Sequence, residues 1–478
     1  MEKKNFYLTT TLPYVNAKPH IGFAMEILRA DVIARYKKLQ GFDVFFNTGT
    51  DEHGQKLYDN AVEANLDPQA YVDGFAAEFR KLIPELGITP DIHFVRTTDE
   101  HHKKAAQEMW RRCLANGDIY KAQHVVKYCK GCELEKTDSE LEEGKCPIHP
   151  TYTIELRDEK NYFFRFSKYQ EPLLKLYTER PDFVLPDFRM NEIKKFVASG
   201  LQDFSISRLK SKMSWGVPVP DDEEHVMYVW FDALTSYISV LGWPEKEDFD
   251  GYWPGIQFAG KDNLRQQSAI WQAMLLSSKL PNSKQIIIGG FITSGGQKMS
   301  KSLGNVIDPF AVKEKYGLEA LRYFLTRHVH PFDDSDVTME KIHEAYNANL
   351  ANGLGNLVSR VMKMAEDNLP NPVEIIEEPL ENAFTEKLDA FRLDEAMNLI
   401  FEHIGKSDAY IQETLPFKKI KSEDESERAE AREIIEKLVR HVYRIAEHLA
   451  IFMPETSEKM KQAVLNNKKP ESLFVRID

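Results

Sequence analysis

Phe6-Tyr-Leu-Thr-Thr-Thr-Leu12, followed by Pro13 to Gly22 and then Ala24 to Leu39, is the stretch whose reading decides the fold. The first seven residues, aromatic, aliphatic and β-branched, predict a strand. Pro13 to Gly22 reads as a turn. Ala24 to Leu39 predicts a helix with Ala24, Ile27, Leu28, Val32 and Tyr36 on its apolar face, closed by Gly41. Asp43-Val-Phe-Phe-Asn47 predicts a second strand, which runs into Gly49-Thr-Asp-Glu-His-Gly54. Strand, helix and strand in that order form the repeating unit of a parallel sheet. The alternation returns later, with Gln257 to Ala259 as a strand, Leu264 to Ser278 as a helix and Gln285-Ile-Ile-Ile288 as a buried strand entering Gly289-Gly290. The two stretches predict two halves of one α/β parallel sheet that binds a nucleotide.

With 478 residues and ~150 residues per domain, about three domains are expected. Residues 1–115 and 221–335 would form the two halves of the sheet domain. Residues 116–220 carry three of the four cysteines and clustered aromatics such as Tyr162-Phe163-Phe164, and read as a connective insertion. Residues 336–478 turn to long helical periods, over Ala345 to Asp367, Asp394 to Glu413 and Ser426 to Ile451, and predict an all-α helical bundle.

A composition of 42% hydrophobic and 29% charged residues excludes disorder over most of the length. Sixty-two basic against 75 acidic residues give a net charge of −13, which argues against nonspecific coating of nucleic acid by bulk charge. No window reaches the ~18 apolar residues of a membrane span. Met1-Glu-Lys-Lys-Asn5 lacks a signal-peptide core, so a cytoplasmic protein is expected.

Cys129-x2-Cys132-x13-Cys146-x2-His149 has the two-knuckle spacing of a tetrahedral Cys3His zinc site, with free thiols in a loop as the alternative. Four closed ligands leave no position for an activated water, so the ion, one per chain, would be structural. Cys113, beside Trp110 and Leu114, reads as a core thiol.

His20-Ile21-Gly22 lies between a predicted strand and helix, where backbone N–H groups and the helix dipole favour a phosphate. By itself it is a weak signal and reads as just a turn. Gly295-Gly-Gln-Lys298-Met299-Ser300-Lys301-Ser302-Leu-Gly304 follows the late buried strand. Its two lysines, three apart in a glycine- and serine-flanked loop, can swing onto a polyphosphate. A bare Lys-x-x-Lys is ordinarily a solvated turn, but the full string is far more specific.

With both elements in place, the sequence resembles the class I aminoacyl-tRNA synthetases, whose two signatures, His-Ile-Gly-His and Lys-Met-Ser-Lys-Ser, lie on the two halves of a Rossmann-like fold. The resemblance spans nearly the whole chain and narrows to the methionyl-tRNA synthetase family. The narrowing rests on Leu12-Pro-Tyr14-Val-Asn, Thr50-Asp51-Glu-His-Gly54, Asp203-Phe-Ser-Ile-Ser-Arg208, Trp215-Gly-Val-Pro, Val229-Trp230-Phe-Asp232-Ala233, Gly260-Lys-Asp262 and Asn356-Leu-Val-Ser-Arg360. The resemblance implies a ligase that forms methionyl-adenylate from methionine and ATP, with Mg2+ accompanying the ATP, and passes the methionyl group to the 3′ end of tRNA(Met). His20, Gly22, Lys298 and Lys301 would be catalytic, with Met299, Ser300 and Ser302 completing the ATP contacts. Asp51 would hold the methionine ammonium, while Leu12, Tyr14, Trp230, Ala233 and Tyr237 surround the thioether, joined by Asn263 and Gln267. Asn356 and Arg360, four apart on one helix, and Phe417 would face the anticodon, with a zinc-bearing insertion and a monomer also expected.

Four positions depart from the family pattern. Phe23 replaces the second histidine of the first signature, Asn263 and Gln267 stand where isoleucine and histidine are usual, and Phe417 follows Pro416 where the family carries a stacking tryptophan. These departures keep two alternatives open. One is a class I synthetase for another apolar amino acid, and the other is a catalytically inactive tRNA-binding paralogue.

Overall fold

The computed structural model describes residues 4–16, 18–136, 140–245, 248–299 and 305–478. The chain divides into two compact units. The first comprises residues 1–19, 37–84 and 88–289, and the second residues 20–36, 85–87 and 290–478.

The first unit is built on a six-stranded, wholly parallel sheet. Its spatial order is His93–Arg96, Asp43–Thr50, Asn5–Thr9, Ile256–Gly260, Gln285–Gly289 and Val184–Leu185. Asn5–Thr9 is the hinge of the topology, pairing Phe6 with Val44 on one side and Leu8 with Ile256 on the other. From it the chain builds outward in one direction through the second and third strands, and the later strands build in the other. The crevice outside the carboxyl ends of Asn5–Thr9 and Ile256–Gly260 is therefore a topological switch point, where open α/β sheets bind ligands.

The expected strand Phe6 to Leu12 is observed over Asn5–Thr9, because Thr10 to Leu12 leave the ladder toward that crevice. The first helix begins at Ile21 rather than Ala24 and ends at Leu39. Val184–Leu185, from within the 116–220 stretch, joins the sheet edge through Gln285–Gly289. Two residues are too few for a period to reveal, and their anchor is apolar burial, with Phe183 and Val184 fully enclosed.

A second sheet, four-stranded and antiparallel, orders Leu134–Lys136, Ile119–Cys129, Glu155–Phe164 and Phe204–Ser205. It presents the turn that carries the clustered cysteines. Trp110, on helix Glu100–Ala115, ties this sheet into the core, edge-on to Tyr162 at 5.2 Å and to Phe231 at 5.5 Å between ring centroids. Such pairs add to the burial of their large apolar faces.

The second unit is mainly helical, with long helices Leu393–Thr414 and Glu425–Leu449 and shorter ones including Asn356–Asn368 and Pro454–Leu465. A small sheet holds Ile292–Ser294 between Gln297–Lys298 and Ser335–Asp336. Arg322, in the same unit, is fully buried. This guanidinium donates to Asp31 Oδ2 at 2.7 Å, to the Phe452 carbonyl at 2.6 Å and to the Leu86 carbonyl at 3.0 Å. Arg29 donates to the carbonyls of Val329 (2.8 Å) and His330 (2.9 Å), and burial lowers its pKa to about 10. Among the described residues no helix is long and apolar enough to cross a membrane.

Candidate active site

The site of the first unit forms where the chain leaves the central strands. Thr11 donates through Oγ1 to the Phe258 carbonyl at 3.2 Å, tying the exit of the first strand to its neighbour. Asp51 follows directly on strand Asp43–Thr50. Its N–H donates to the Pro13 carbonyl at 2.9 Å and its carbonyl accepts from Val15 at 3.2 Å, so Tyr14 and Asp51 lie side by side as an isolated parallel bridge. Two segments 37 positions apart in sequence are thus locked together by backbone bonds.

Asp51 is 4% exposed, and its Oδ1 has no hydrogen-bond partner among the described residues. Burial holds its carboxyl well above the usual range, and the neighbouring Asp232 and Glu133 push it the same way. A buried carboxylate beside two further acidic groups is an environment completed by a cation. Asp232 has its own partners: His53 Nδ1 lies 2.6 Å from Oδ2 and His102 Nε2 lies 2.7 Å from Oδ1, and His102 Nδ1 reaches Ser239 Oγ at 3.0 Å. Despite burial, the two imidazoles hold Asp232 below the ordinary carboxylate range. The His53–Asp232 bond also fixes helix Val229–Ala233, which carries Trp230 and Ala233, against the loop that carries Asp51.

Leu12, Ala233 and Tyr237 are buried and Trp230 and Tyr14 half-buried. Trp230 Nε1 is enclosed with no hydrogen-bond partner among the described residues. Gln267 is fully buried and donates to the Tyr237 hydroxyl, while its Oε1 accepts from Gln257 at 3.1 Å. The expected helix Leu264 to Ser278 is π-helical over Gln266–Ile270 and α-helical only over Trp271–Ser277. Such π turns collect at functional sites, and this one brings Gln267 to Tyr237. Asn263 is half-buried, with Nδ2 3.4 Å from Asp262 Oδ1.

The other expected residues belong to the second unit. Gly22 N–H donates to His20 Nδ1 at 3.1 Å, and the Phe23 ring sits 4.4 Å from the imidazole. A Cβ on Gly22 would stand 2.8 Å from His20 Cε1, so glycine leaves the imidazole room to fold over its own backbone. Lys298 ends strand Gln297–Lys298, and Met299 is half-buried. Ser300, Lys301 and Ser302 lie outside the described residues. Asn356 is exposed at the start of helix Asn356–Asn368, and Arg360 pairs with Asp408 at 3.2 Å. Phe417, 37% exposed, stands on the short helix Pro416–Lys419 behind Leu415, whose φ of 47° turns the chain sharply.

Cys129, Cys132, Cys146 and His149 present ligand atoms that all lie within 4.8 Å of one another, close enough to bind one metal ion. Cys132 Sγ is 3.4 Å from Cys146 Sγ and 3.2 Å from His149 Nδ1. Gly131 makes the first knuckle tight enough, since a Cβ there would meet His149 Cγ at 2.5 Å.

The family profile described as "tRNA synthetases class I (M)" matches residues 6–153 and 132–362. The chain is 42% identical over 486 residues to a methionine–tRNA ligase of Thermotoga maritima, covering 97% of this chain and 76% of that protein. It is likewise 42% identical to the methionine–tRNA ligase of Thermosynechococcus vestitus, covering 95% and 89% respectively. The chain belongs to the methionyl-tRNA synthetase family. The structure of Mycobacterium tuberculosis methionyl-tRNA synthetase in complex with methionyl-adenylate superposes with a TM-score of 0.90 at 34% identity, over 99% of both chains. The parallel sheet split by a cysteine-bearing segment and followed by helices is thus the architecture of a methionyl-tRNA synthetase.

Sequence reasoning had not singled out Glu133, His53 or His102. Glu133 adjoins Cys132 and reads as part of the spacer between cysteines, whereas the two histidines become partners only through Asp232, far away in the chain.

Proposed function

We propose that this methionyl-tRNA synthetase binds methionine at the switch point of the first unit, with Asp51 as the counter-ion of the substrate ammonium. The carrying observation is that Asp51 is buried, has an oxygen without a hydrogen-bond partner among the described residues and lies among acidic neighbours. Leu12, Tyr14, Trp230, Ala233 and Tyr237 supply apolar and aromatic walls, which suit a polarizable sulfur. Gln267, with Asn263 nearby, takes the usual histidine's part through the Tyr237 hydroxyl, leaving that oxygen oriented toward the thioether.

With the ammonium held, a carboxylate oxygen of methionine attacks the α-phosphorus of ATP, supplied as its magnesium complex. The new bond joins that oxygen to phosphorus, and the bond to the bridging oxygen breaks to release pyrophosphate. His20, Lys298 and Lys301 stabilise the charge that develops on the phosphates, with Gly22, Met299, Ser300 and Ser302 shaping the ATP contacts. Phe23 supplies no hydrogen bond to phosphate, which leaves His20 as the donor of that signature. In the second step the 2′-hydroxyl of the terminal adenosine of tRNA(Met) attacks the acyl carbon and AMP leaves. Positioning and charge stabilisation carry both steps, without a covalent protein nucleophile. Asn356, Arg360 and Phe417 would meet the anticodon, Phe417 by stacking, and Arg360 would exchange Asp408 for a base edge.

The Cys3His cluster fits zinc, whose thiolate and imidazole ligands lie ~2.0 to 2.3 Å from the ion in a tetrahedron. Bound there, zinc supplies fold stability to the turn. Metal analysis should find about one zinc per chain, and Cys146→Ser should lose it. A folded, metal-free wild-type protein would contradict the assignment.

Lys298→Ala should slow methionyl-adenylate formation by about a hundredfold, as when one preorganised donor is lost, with little change in thermal stability. Single-turnover kinetics check this, and near-normal rates would remove the loop from the chemistry. The function itself is tested by charging a tRNA(Met) transcript with labelled methionine. Stoichiometric charging is expected, and tRNA binding without charging would identify an inactive paralogue.

A further inference from the structure

The turn that carries the metal ligands also reaches into the amino-acid pocket. Glu133 immediately follows Cys132, has a left-handed φ of 50° and is 5% exposed. Its Oε1 accepts from the Tyr14 hydroxyl at 2.5 Å and from the Lys56 backbone N–H at 2.9 Å, and its own carbonyl accepts from the Tyr228 hydroxyl. Gly54 leaves the space for this contact. At φ 116° it already favours glycine, and a Cβ there would stand 2.5 Å from Glu133 Oε2 and 2.7 Å from the Tyr14 hydroxyl. One carboxyl thus joins the 12–15 segment, the 51–56 loop and the metal-binding turn, at the point where Tyr14 lies beside Asp51.

We propose that Glu133 is a positioning residue for methionine. Anchored by the Cys3His turn, it fixes the Tyr14 hydroxyl and so holds the segment bridged to Asp51, which receives the substrate ammonium. Zinc-site geometry and amino-acid affinity are then coupled through one side chain. A left-handed backbone at a residue other than glycine is locally unfavourable, and here it aims the carboxyl away from the metal ligands and into the pocket.

The inference rests on the proposed methionine site, and its test separates the two. ATP–pyrophosphate exchange is measured for wild type, Glu133→Gln, Glu133→Ala, Tyr14→Phe and the Glu133→Gln/Tyr14→Phe pair, with metal content determined on the same samples. Glu133→Gln should raise the methionine KM about tenfold, the gap between a charge-assisted and a neutral hydrogen bond. The KM for ATP and the zinc content should stay at wild-type values. Glu133→Ala should raise the methionine KM further, and Tyr14→Phe should cost less in the Glu133→Gln background than alone, the signature of a shared interaction. A wild-type methionine KM in both Glu133 variants overturns the proposal. Equal rises in the two substrates' KM values, or metal loss from Glu133→Gln, overturn it as well, because Glu133 would then serve only the fold. A wild-type enzyme that does not respond to methionine would instead defeat the methionine site itself.

Discussion

Asp51→Asn should lower kcat/KM for methionine by about a thousandfold while leaving the ligand-free protein at least as stable as wild type. Removing one partner of a buried ion pair costs about 3 to 5 kcal/mol, or roughly two to nearly four orders of magnitude in a binding-dependent rate. The opposite behaviour of stability follows from the same burial. A carboxyl whose pKa is raised by folding lowers stability as the pH climbs above its unfolded value, and a neutral amide of the same shape removes that cost. Steady-state kinetics and thermal unfolding in parallel check both halves. A parallel fall in activity and stability would show Asp51 to be a structural residue. The wild-type protein should show the matching pH dependence. Ligand-free Asp51 takes up a proton at a pH above the usual carboxylate range, and an ammonium favours the ionised form. Methionine binding therefore releases that proton, and affinity should weaken as the pH falls through the raised pKa.

Arg322→Met should destabilise the second unit by about 3 to 5 kcal/mol, the range for breaking a buried pair by removing one ion. Both Arg322 and Asp31 are completely enclosed. The substitution removes the guanidinium donor of the Phe452 and Leu86 carbonyls and one cationic partner of Asp31, which keeps its pair with Arg35 at 2.8 Å. Urea unfolding is the measurement. Asp31→Leu in the Arg322→Met background should recover part of the loss, because paired removal of buried charges is far milder than removal of one. A loss under about 1 kcal/mol, the scale of an exposed pair, would contradict this view of the network.

The long, regular elements were legible in the sequence because their periods extend over many residues. Asn5–Thr9, Asp43–Thr50 and Gln285–Gly289 stand where alternation and apolar runs predicted them, and so do the helices Leu393–Thr414 and Glu425–Leu449. Val184–Leu185 was not legible, since two residues gain their strand geometry only from a neighbour a hundred positions away. The π-helical segments Gln266–Ile270 and Tyr346–Gly355 lie within longer helical stretches, so periodicity does not separate them from α-helix. In the site, Cys129, Cys132, Cys146 and His149 announced themselves by spacing and do converge. Glu133 had no such signature, because its partners Tyr14 and Lys56 come from other segments. The anticodon role of Arg360 is what the resemblance implies, and its ion pair with Asp408 at 3.2 Å joins it to a helix that its spacing with Asn356 does not reach.

The measurement that bears most directly on the Asp51 pocket is amino-acid-dependent exchange of pyrophosphate with ATP, run across all twenty amino acids on the wild-type protein. Exchange driven by methionine alone is the predicted result. A stronger response to another amino acid, or no exchange with any, would contradict it.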